Sequence, residues 1–219
     1  MARIARVVAE HYPHHIIQRG NRRQDTFFCN DDYWFYIQLM AEWCGKCGVT
    51  IWAYCLMPNH VHLIAVPESE GGLRRAIGEA HRRYTRHINF REKWKDHLWQ
   101  GRFASFVMDE QYLLAAARYI ELNPVRAGLV SIPEEYSWSS AKAHVKGRND
   151  ALVKAKPLLR MVNDWRQFLS GEVSDEEYEL LQRHERTGRP LGSKNFIEKL
   201  EHKLARILLP QKGGRPKKG

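Results

Sequence analysis

The sequence lacks any long apolar run, and this absence excludes one class of protein. No segment approaches the roughly 20 consecutive apolar residues that a membrane-spanning helix needs. No amphipathic basic helix of the kind that lies on membranes is obvious either, and the first residues do not resemble a signal peptide. We therefore expect a cytoplasmic protein with no membrane partner.

Cysteine is also scarce. The chain has four, Cys29, Cys44, Cys47 and Cys55, all in its first quarter. Cys44 and Cys47 form a single C-x-x-C motif, but no second pair of ligands follows at the spacing of a zinc finger. We expect free thiols in a reducing compartment, and a structural zinc site is the alternative.

Acidic residues are too few to balance the basic ones. Lys and Arg number 35 against 25 Asp and Glu, which gives a net charge of +10 with histidine neutral. This excess favours a polyanionic partner, with nucleic acid ahead of a membrane, and a protein associated with the nucleoid. Charge alone does not decide the matter, because many basic proteins bind no polyanion.

Strand and helix signals alternate over the first 130 residues. The β-rich segments "HHIIQRG", "VTIWAYCLM", "HVHLIAV" and "RFASFVM" are separated by segments with apolar residues at helical spacing. The order β-α-β-β-α-β, followed by a last helix, predicts a ferredoxin-like antiparallel sheet with helices on one face, an α+β fold. We expect this core over residues 1–130, a helical appendage over 131–210 and a basic flexible tail over 211–219.

Glycine and proline predict where two of the helices end. The aromatic-rich first helix should stop at Gly45 and Gly48. The last core helix should begin near Asp109 and end at Pro124 and Gly128.

Two histidines stand on one side of a predicted strand. His60 and His62 are two residues apart in "MPNHVHLI", and residues two apart in a strand face the same side. Two neutral imidazoles in this position could bind one divalent cation. The alternative is that the polar face of a sheet carries two histidines by chance.

The last core helix offers a third ligand and a nucleophile. Tyr119 and Asn123 in "RYIELNP" are four residues apart and so share one helical face. An amide oxygen can bind Mg²⁺ or Mn²⁺, and a phenol beside a metal can act as a nucleophile. A half-buried aromatic residue and an Asn that ends the helix before Pro124 explain the same pattern, and spacing does not choose between them.

Several segments taken together resemble one family. "MPNHVHLI", "HLWQGRF" and "RYIELNPVRAG", with "HHIIQRGNRR" before them and "YSWSS" after, occur in the order and spacing of the REP-associated tyrosine transposases. These are a branch of the HUH single-strand DNA endonucleases, related to the small insertion-sequence transposases. The resemblance covers about residues 10–140 and implies an HUH endonuclease core that cleaves and rejoins single-stranded DNA.

The resemblance also implies roles for particular residues. His60 and His62 would bind a divalent cation, Mg²⁺ or Mn²⁺, and Tyr119 would form a 5′-phosphotyrosine with DNA. The polar residue one turn later would complete the metal site; in the insertion-sequence relatives it is commonly Gln, whereas here it is the shorter Asn123. The implied partner is single-stranded DNA with palindromic hairpins, bound by a monomer or a homodimer. A hairpin-binding protein that no longer cleaves is the alternative.

Basic residues in several segments are candidates for binding this DNA. A solvated basic surface is the ordinary alternative for each of them. Tyr84 lies among them, but it has no candidate ligand one turn later and ranks behind Tyr119 as nucleophile. The candidates are Arg19, Asn21, Arg22 and Arg23 in the first turn, Arg74, Arg75, Arg82, Arg83 and Arg86 on the basic helix, Arg102 in "QGRF", and Arg215 in the tail.

Overall fold

A computed structural model describes residues 4–171 and 174–209. Arg215 and the predicted tail over 211–219 lie outside the described residues. The strands are β1 (His14–Arg19), β2 (Val49–Met57), β3 (His60–Pro67) and β4 (Ala104–Val107). The helices are α1 (Asn30–Lys46), α2 (Gly72–Glu92), α3 (Glu110–Glu121), α4 (Asn123–Arg126), α5 (Ala141–Val145), α6 (Lys156–Leu159), α7 (Trp165–Ser170), α8 (Asp175–Thr187) and α9 (Lys194–Leu204).

The four strands form one antiparallel sheet in the order β2-β3-β1-β4. This order confirms the predicted ferredoxin-like arrangement. The central pair is β1 and β3, and its register places Arg19 opposite His60 and Ile17 opposite His62. The start of β3 is therefore held between two neighbouring strands.

Both faces of the sheet are covered by helices. Ile16 of β1 packs in the core of α1 and α2, whereas the next residue, Ile17, packs in the core of α3. Adjacent strand residues face opposite sides, so both sides of β1 are apolar. A bulge at Trp52 shifts the register of β2 against β3. The crossover helices α1 and α2 lie on one face as predicted, and α3 packs on the other because that face is apolar too.

Gly48 and Gly128, predicted to end two helices, follow the ends of α1 and α4 in left-handed conformations. Two details differ from the prediction. α1 continues through Gly45 to Lys46, because the packing of its buried face against the core outweighs the low helix propensity of one glycine. The last core helix is divided into α3 and α4 at Leu122, just before Pro124, which has no backbone N–H to donate. Asn123 therefore begins a new short helix.

The residues after 130 pack on both faces of the sheet. Ala143, Leu152 and Val153 join the core of α1 and α2, and other segments pack on the α3 face. Trp165 of α7, Leu181 of α8 and Leu191 share a core with α3 and with β1, β2 and β3. α9 closes back on the N-terminal segment and on Val107 of β4. The boundary at residue 130 stays a prediction, although these helices share their core with the sheet. Within residues 4–171 and 174–209, no helix combines the length and apolar character needed to cross a bilayer.

Candidate active site

Strand β3 begins with the two predicted histidines. His60 and His62 face the α3 side of the sheet, and their ring centroids are 5.0 Å apart. Burial, and after it the charge of Arg19, lowers the pKa of His60 to about 4. Burial also lowers the pKa of His62 well below its usual range. Both rings are therefore neutral at pH 7, the form that binds metal ions.

Each of these histidines makes a hydrogen bond through Nδ1. His60 Nδ1 lies 2.6 Å from Asn59 Oδ1, which only accepts, so the proton is on Nδ1 and Nε2 keeps its lone pair. His62 Nδ1 lies 3.0 Å from Nε2 of His15 on β1. If His62 donates here, its Nε2 also keeps a lone pair, and this buried atom has no hydrogen-bond partner among the described residues. Such bonds orient metal-binding histidines.

Helix α3 brings Tyr119 to the same place. The Asp109 side chain caps the helix, and the buried face of α3 packs on the sheet. The Tyr119 ring centroid lies 5.5 Å from that of His62 and 6.0 Å from that of His15. Tyr119 is only 3% exposed. Burial, and after it the charge of Glu185, raises the pKa of the Tyr119 phenol well above its usual range, so the phenol is protonated at neutral pH.

The second tyrosine considered as a nucleophile lies on the opposite face of the sheet. Tyr84 is fully buried in the core formed with α1 and α2. Its hydroxyl donates a 2.6 Å hydrogen bond to the carbonyl oxygen of Thr26. This geometry is that of a core residue and favours Tyr119.

Asn123 lies one turn after Tyr119, at the first position of α4. Its Nδ2 is buried and makes no hydrogen bond in the part of the chain that the structure describes. Ligation of a cation by Asn123 stays a prediction.

Two residues of the site were not predicted from the sequence. His15 is fully buried and hydrogen-bonded to His62, and Glu185 reaches the site from α8, with Oε1 3.9 Å from His62 Nδ1. The doublet in "HHIIQRG" offered a weak signal for His15, because alternation puts one of its histidines on each face of β1. No local pattern marks Glu185, which lies far along the chain.

The side chains at this site fit a divalent cation. One atom each from His15, His62 and Glu185 lies within 4.8 Å of the others. His62 Nε2 and Glu185 Oε1 are both buried without a hydrogen-bond partner among the described residues. Neutral imidazole nitrogens with carboxylate and amide oxygens suit Mn²⁺, and the oxygens suit Mg²⁺. No ion is present, so the identity of the metal stays a prediction.

A family model matches the region that contains these histidines and the tyrosine. Residues 8–123, more than half of the 219-residue chain, match the family described as "Transposase IS200 like". The chain belongs to the IS200-like transposase family. The resemblance of its motifs to the tyrosine transposases is thereby confirmed.

Two known proteins are similar to this chain. A protein of Haemophilus influenzae named "Putative REP-associated tyrosine transposase" is 29% identical over 105 residues, which are 43% of this chain and 60% of that protein. The match thus spans less than two thirds of the relative. A solved REP-associated tyrosine transposase bound to a REP hairpin aligns with a TM-score of 0.59, covering 80% of this chain and 94% of that chain. Its sequence identity is 18%, so the likeness shows the fold alone.

A basic cleft of about 620 Å³ opens beside the site of this IS200-like chain. Three of the predicted arginines line it, together with residues of α8 that were not predicted. Burial raises the pKa of both Glu185 and Tyr119, and the charge of Arg19 partly offsets that rise, which places this arginine within electrostatic range of the site. The charged side chains that line the cleft are Arg19, Arg23, Arg102, Glu185 and Arg186.

The first basic turn lies next to the start of β3, which carries His60. Asn21, Arg22 and Arg23 form a 3₁₀ turn in which both arginines have left-handed backbone angles. Asn59 Nδ2 donates to the carbonyl oxygen of Arg23, so this turn and the turn before β3 hold each other. A Cβ on Gly20 would lie 2.1 Å from the Gln24 carbonyl oxygen, so the turn needs glycine there.

The arginines of α2 do not form a single surface. Arg74, Arg75 and Arg82 line a second cleft of about 640 Å³, which shares Arg102 with the first. Arg82 also pairs with Glu79 at 2.7 Å, while Arg83 lies over the ring of Trp43. Arg86 is exposed on the same helix. The clefts therefore favour the first three of these arginines and Arg102 as DNA contacts.

The four cysteines form no disulfide with one another. Cys44 is buried in the core, where burial raises its pKa to about 12, and Cys47 ends α1. Among the described residues, Cys44 and Cys47 belong to no group of three that could hold a metal ion.

Proposed function

We propose that this chain is a metal-dependent tyrosine transposase and endonuclease. It binds palindromic hairpins of single-stranded DNA, and it cleaves and rejoins the strand through a 5′-phosphotyrosine. The observation that carries the proposal is the contact of the Tyr119 ring with His62, beside a cleft lined by arginines. A polyanionic substrate and a nucleophilic phenol meet at this point.

The side chains divide the chemistry among them. His60, His62 and Asn123 are the proposed ligands; a divalent cation held by them would polarise the scissile phosphate and stabilise charge in the transition state. Tyr119 Oη attacks the phosphorus as the bond to the 3′ oxygen breaks. The proton lost by the phenol is balanced by the proton that the 3′ hydroxyl gains. The new phosphotyrosine conserves the bond energy for rejoining.

The partner is proposed from charge and from the solved relative. That relative was bound to a REP hairpin. In this chain, Arg19, Arg23 and Arg102 line the cleft at the site, where they would contact phosphates. We propose that a hairpin lies across the two clefts, with its flanking single strand directed to Tyr119. Whether the active form is a monomer or a homodimer stays a prediction.

Burial of Tyr119 favours one other candidate function. The Tyr119 side chain as a whole is only 3% exposed in this conformation, so little of it is open to a phosphate. A protein fixed in this state would bind hairpins without cutting them. Trapping of a covalent adduct separates the two functions.

The test mixes the full chain with a labelled hairpin oligonucleotide and Mn²⁺, followed by denaturing electrophoresis. We expect a covalent adduct with the wild type and none with Tyr119→Phe. Tyr112→Phe, on the same helix, is the matched control and should keep the adduct. His60→Ala should abolish cleavage and leave hairpin binding largely intact.

Two results would contradict the proposal. An adduct that survives Tyr119→Phe would move the nucleophile elsewhere. The absence of any adduct with Mg²⁺ or Mn²⁺, together with intact hairpin binding, would support the non-cleaving alternative.

A further inference from the structure

We propose that Glu185, on α8 of the C-terminal region, is a ligand of the divalent cation together with His62. The inference rests on the proposed function, which requires that cation. It makes the helices after residue 130 part of the metal site, and it gives the site a carboxylate in addition to Asn123.

Glu185 approaches the His62 ring without bonding to it directly. Glu185 Oε1 is 3.9 Å from His62 Nδ1, the nitrogen that makes the 3.0 Å hydrogen bond to His15 Nε2. His62 Nε2 is buried without a hydrogen-bond partner among the described residues, so it is the atom left to bind a cation. Ligand atoms around an octahedral ion with bonds of about 2.1 Å lie about 3 to 4.2 Å apart. A carboxylate that hydrogen-bonded directly to His62 would lie closer than 3.9 Å. The observed gap is wide for a hydrogen bond and suits a shared ion.

Among the described residues, no arginine or lysine forms a direct ion pair with Glu185, although the charges of Arg19 and Arg186 act on it from farther away. The side chain is 11% exposed, and Oε1 has no hydrogen-bond partner among the described residues. Among the described residues, His62 is the ion-pair partner of Glu185 within 4.0 Å, and burial keeps the His62 ring neutral. A buried carboxylate without a cation is unfavourable. A bound divalent cation would supply the missing charge to the unpaired oxygen.

The packing of α8 fixes Glu185 in this position. A capping box at Ser174 and Glu177 starts the helix, and Gly188 in a left-handed conformation ends it. Leu181, one turn before Glu185, is buried against the sheet. Tyr178 lies on the ring of Tyr119, at 5.4 Å between centroids. These contacts direct the inner face of α8, and with it Glu185, towards the histidines.

A carboxylate would give this metal site the negative charge that its other proposed ligands lack. Two neutral histidines and the amide of Asn123 give a cation no negative charge, whereas Glu185 gives one. Glu185 also acts on the nucleophile, because its charge, after burial, raises the pKa of the Tyr119 phenol. One side chain would therefore bind the cation and influence the phenol.

The test measures Mn²⁺ binding by isothermal titration calorimetry on the full chain, without DNA and without reference to cleavage. Glu185→Gln keeps the shape of the side chain and removes its charge. We expect the affinity for Mn²⁺ to fall by about tenfold or more, the range found when the surroundings of a metal are altered. Glu179→Gln, an exposed position on the same helix, removes the same charge and should bind like the wild type. Thermal unfolding without metal checks that each variant is folded.

The outcomes separate this inference from the proposed function. If Glu185→Gln binds Mn²⁺ as tightly as the wild type while His62→Ala does not bind, Glu185 is not a ligand and the histidine site stands. If the wild type itself binds no Mn²⁺, or His62→Ala binds normally, the proposed metal site is wrong. If Glu179→Gln lost as much Mn²⁺ affinity as Glu185→Gln, the effect would be one of net charge alone, and the inference would be overturned.

Discussion

Two buried glutamates on the α3 side of the sheet are in opposite situations. Glu121, at the end of α3, is fully buried and accepts hydrogen bonds from three side chains. Ser140 Oγ, His144 Nδ1 and Trp165 Nε1 donate to it at 2.5, 2.6 and 2.7 Å. Glu185 keeps one oxygen unpaired, and burial raises its pKa to about 7.

The difference separates a structural carboxylate from the one that we propose to be functional. Glu121 joins α3 to the segments that carry its three donors, and its hydrogen bonds offset the free energy of removing its charge from water. Glu185 lacks such compensation in the absence of a ligand. An incompletely satisfied buried group beside a cleft is typical of sites that bind something.

The largest expected effect is on the free energy of unfolding and follows from changing Glu121, the structural carboxylate. Glu121→Gln places an amide N–H₂ against groups that donate, so we expect the free energy of unfolding to fall by about 3 kcal/mol. Glu185→Gln removes a charge without compensation and should leave that free energy unchanged or raise it. Urea unfolding of both variants without metal measures the difference. Equal destabilisation by the two changes would show that both carboxylates are structural.

A smaller effect concerns the partner of His62. His15→Gln removes the imidazole that orients His62, and we expect Mn²⁺ affinity to fall by about tenfold. His14→Gln is the matched control, because His14 is equally buried but accepts from the backbone N–H of Ala9 and donates to the carbonyl oxygen of Tyr12. Calorimetric titration with Mn²⁺ should show weaker binding by His15→Gln and unchanged binding by His14→Gln. A loss of the same size in both variants would indicate a general disturbance of β1.

The smallest expected effect is on hairpin binding and concerns two arginines of the C-terminal region. Arg186 follows Glu185 and lines the basic cleft, whereas Arg166, near the Glu121 end, pairs with Glu134 at 2.8 Å. We expect Arg186→Gln to weaken hairpin binding severalfold and to reduce the slope of log affinity against log salt by about 0.7, one phosphate contact. Arg166→Gln removes the same charge and should change neither. Fluorescence anisotropy over a range of salt concentrations measures both quantities, and equal slopes would argue against a contact at Arg186.

Local patterns predicted much of the fold and part of the site. Period-two alternation placed His60 and His62 on one side of β3, and helical spacing placed Tyr119 and Asn123 one turn apart. The break at Leu122 was predicted only as an end at Pro124, since propensity locates a helix end less well than packing does. The bulge at Trp52 was not predicted, because it depends on the register of β2 against β3.

The sequence by itself determined the order of strands and helices, the family, and the identity of the histidine pair and the tyrosine. Each of these depends on periodicity or on short segments of chain. Only the tertiary structure decided that His15 orients His62, that Tyr119 is buried, and that Glu185 faces the site from α8. Each of these contacts is between side chains on different strands or helices. They arise because apolar faces pack on the sheet, and the spacing of residues along the chain does not predict which side chains that packing brings together.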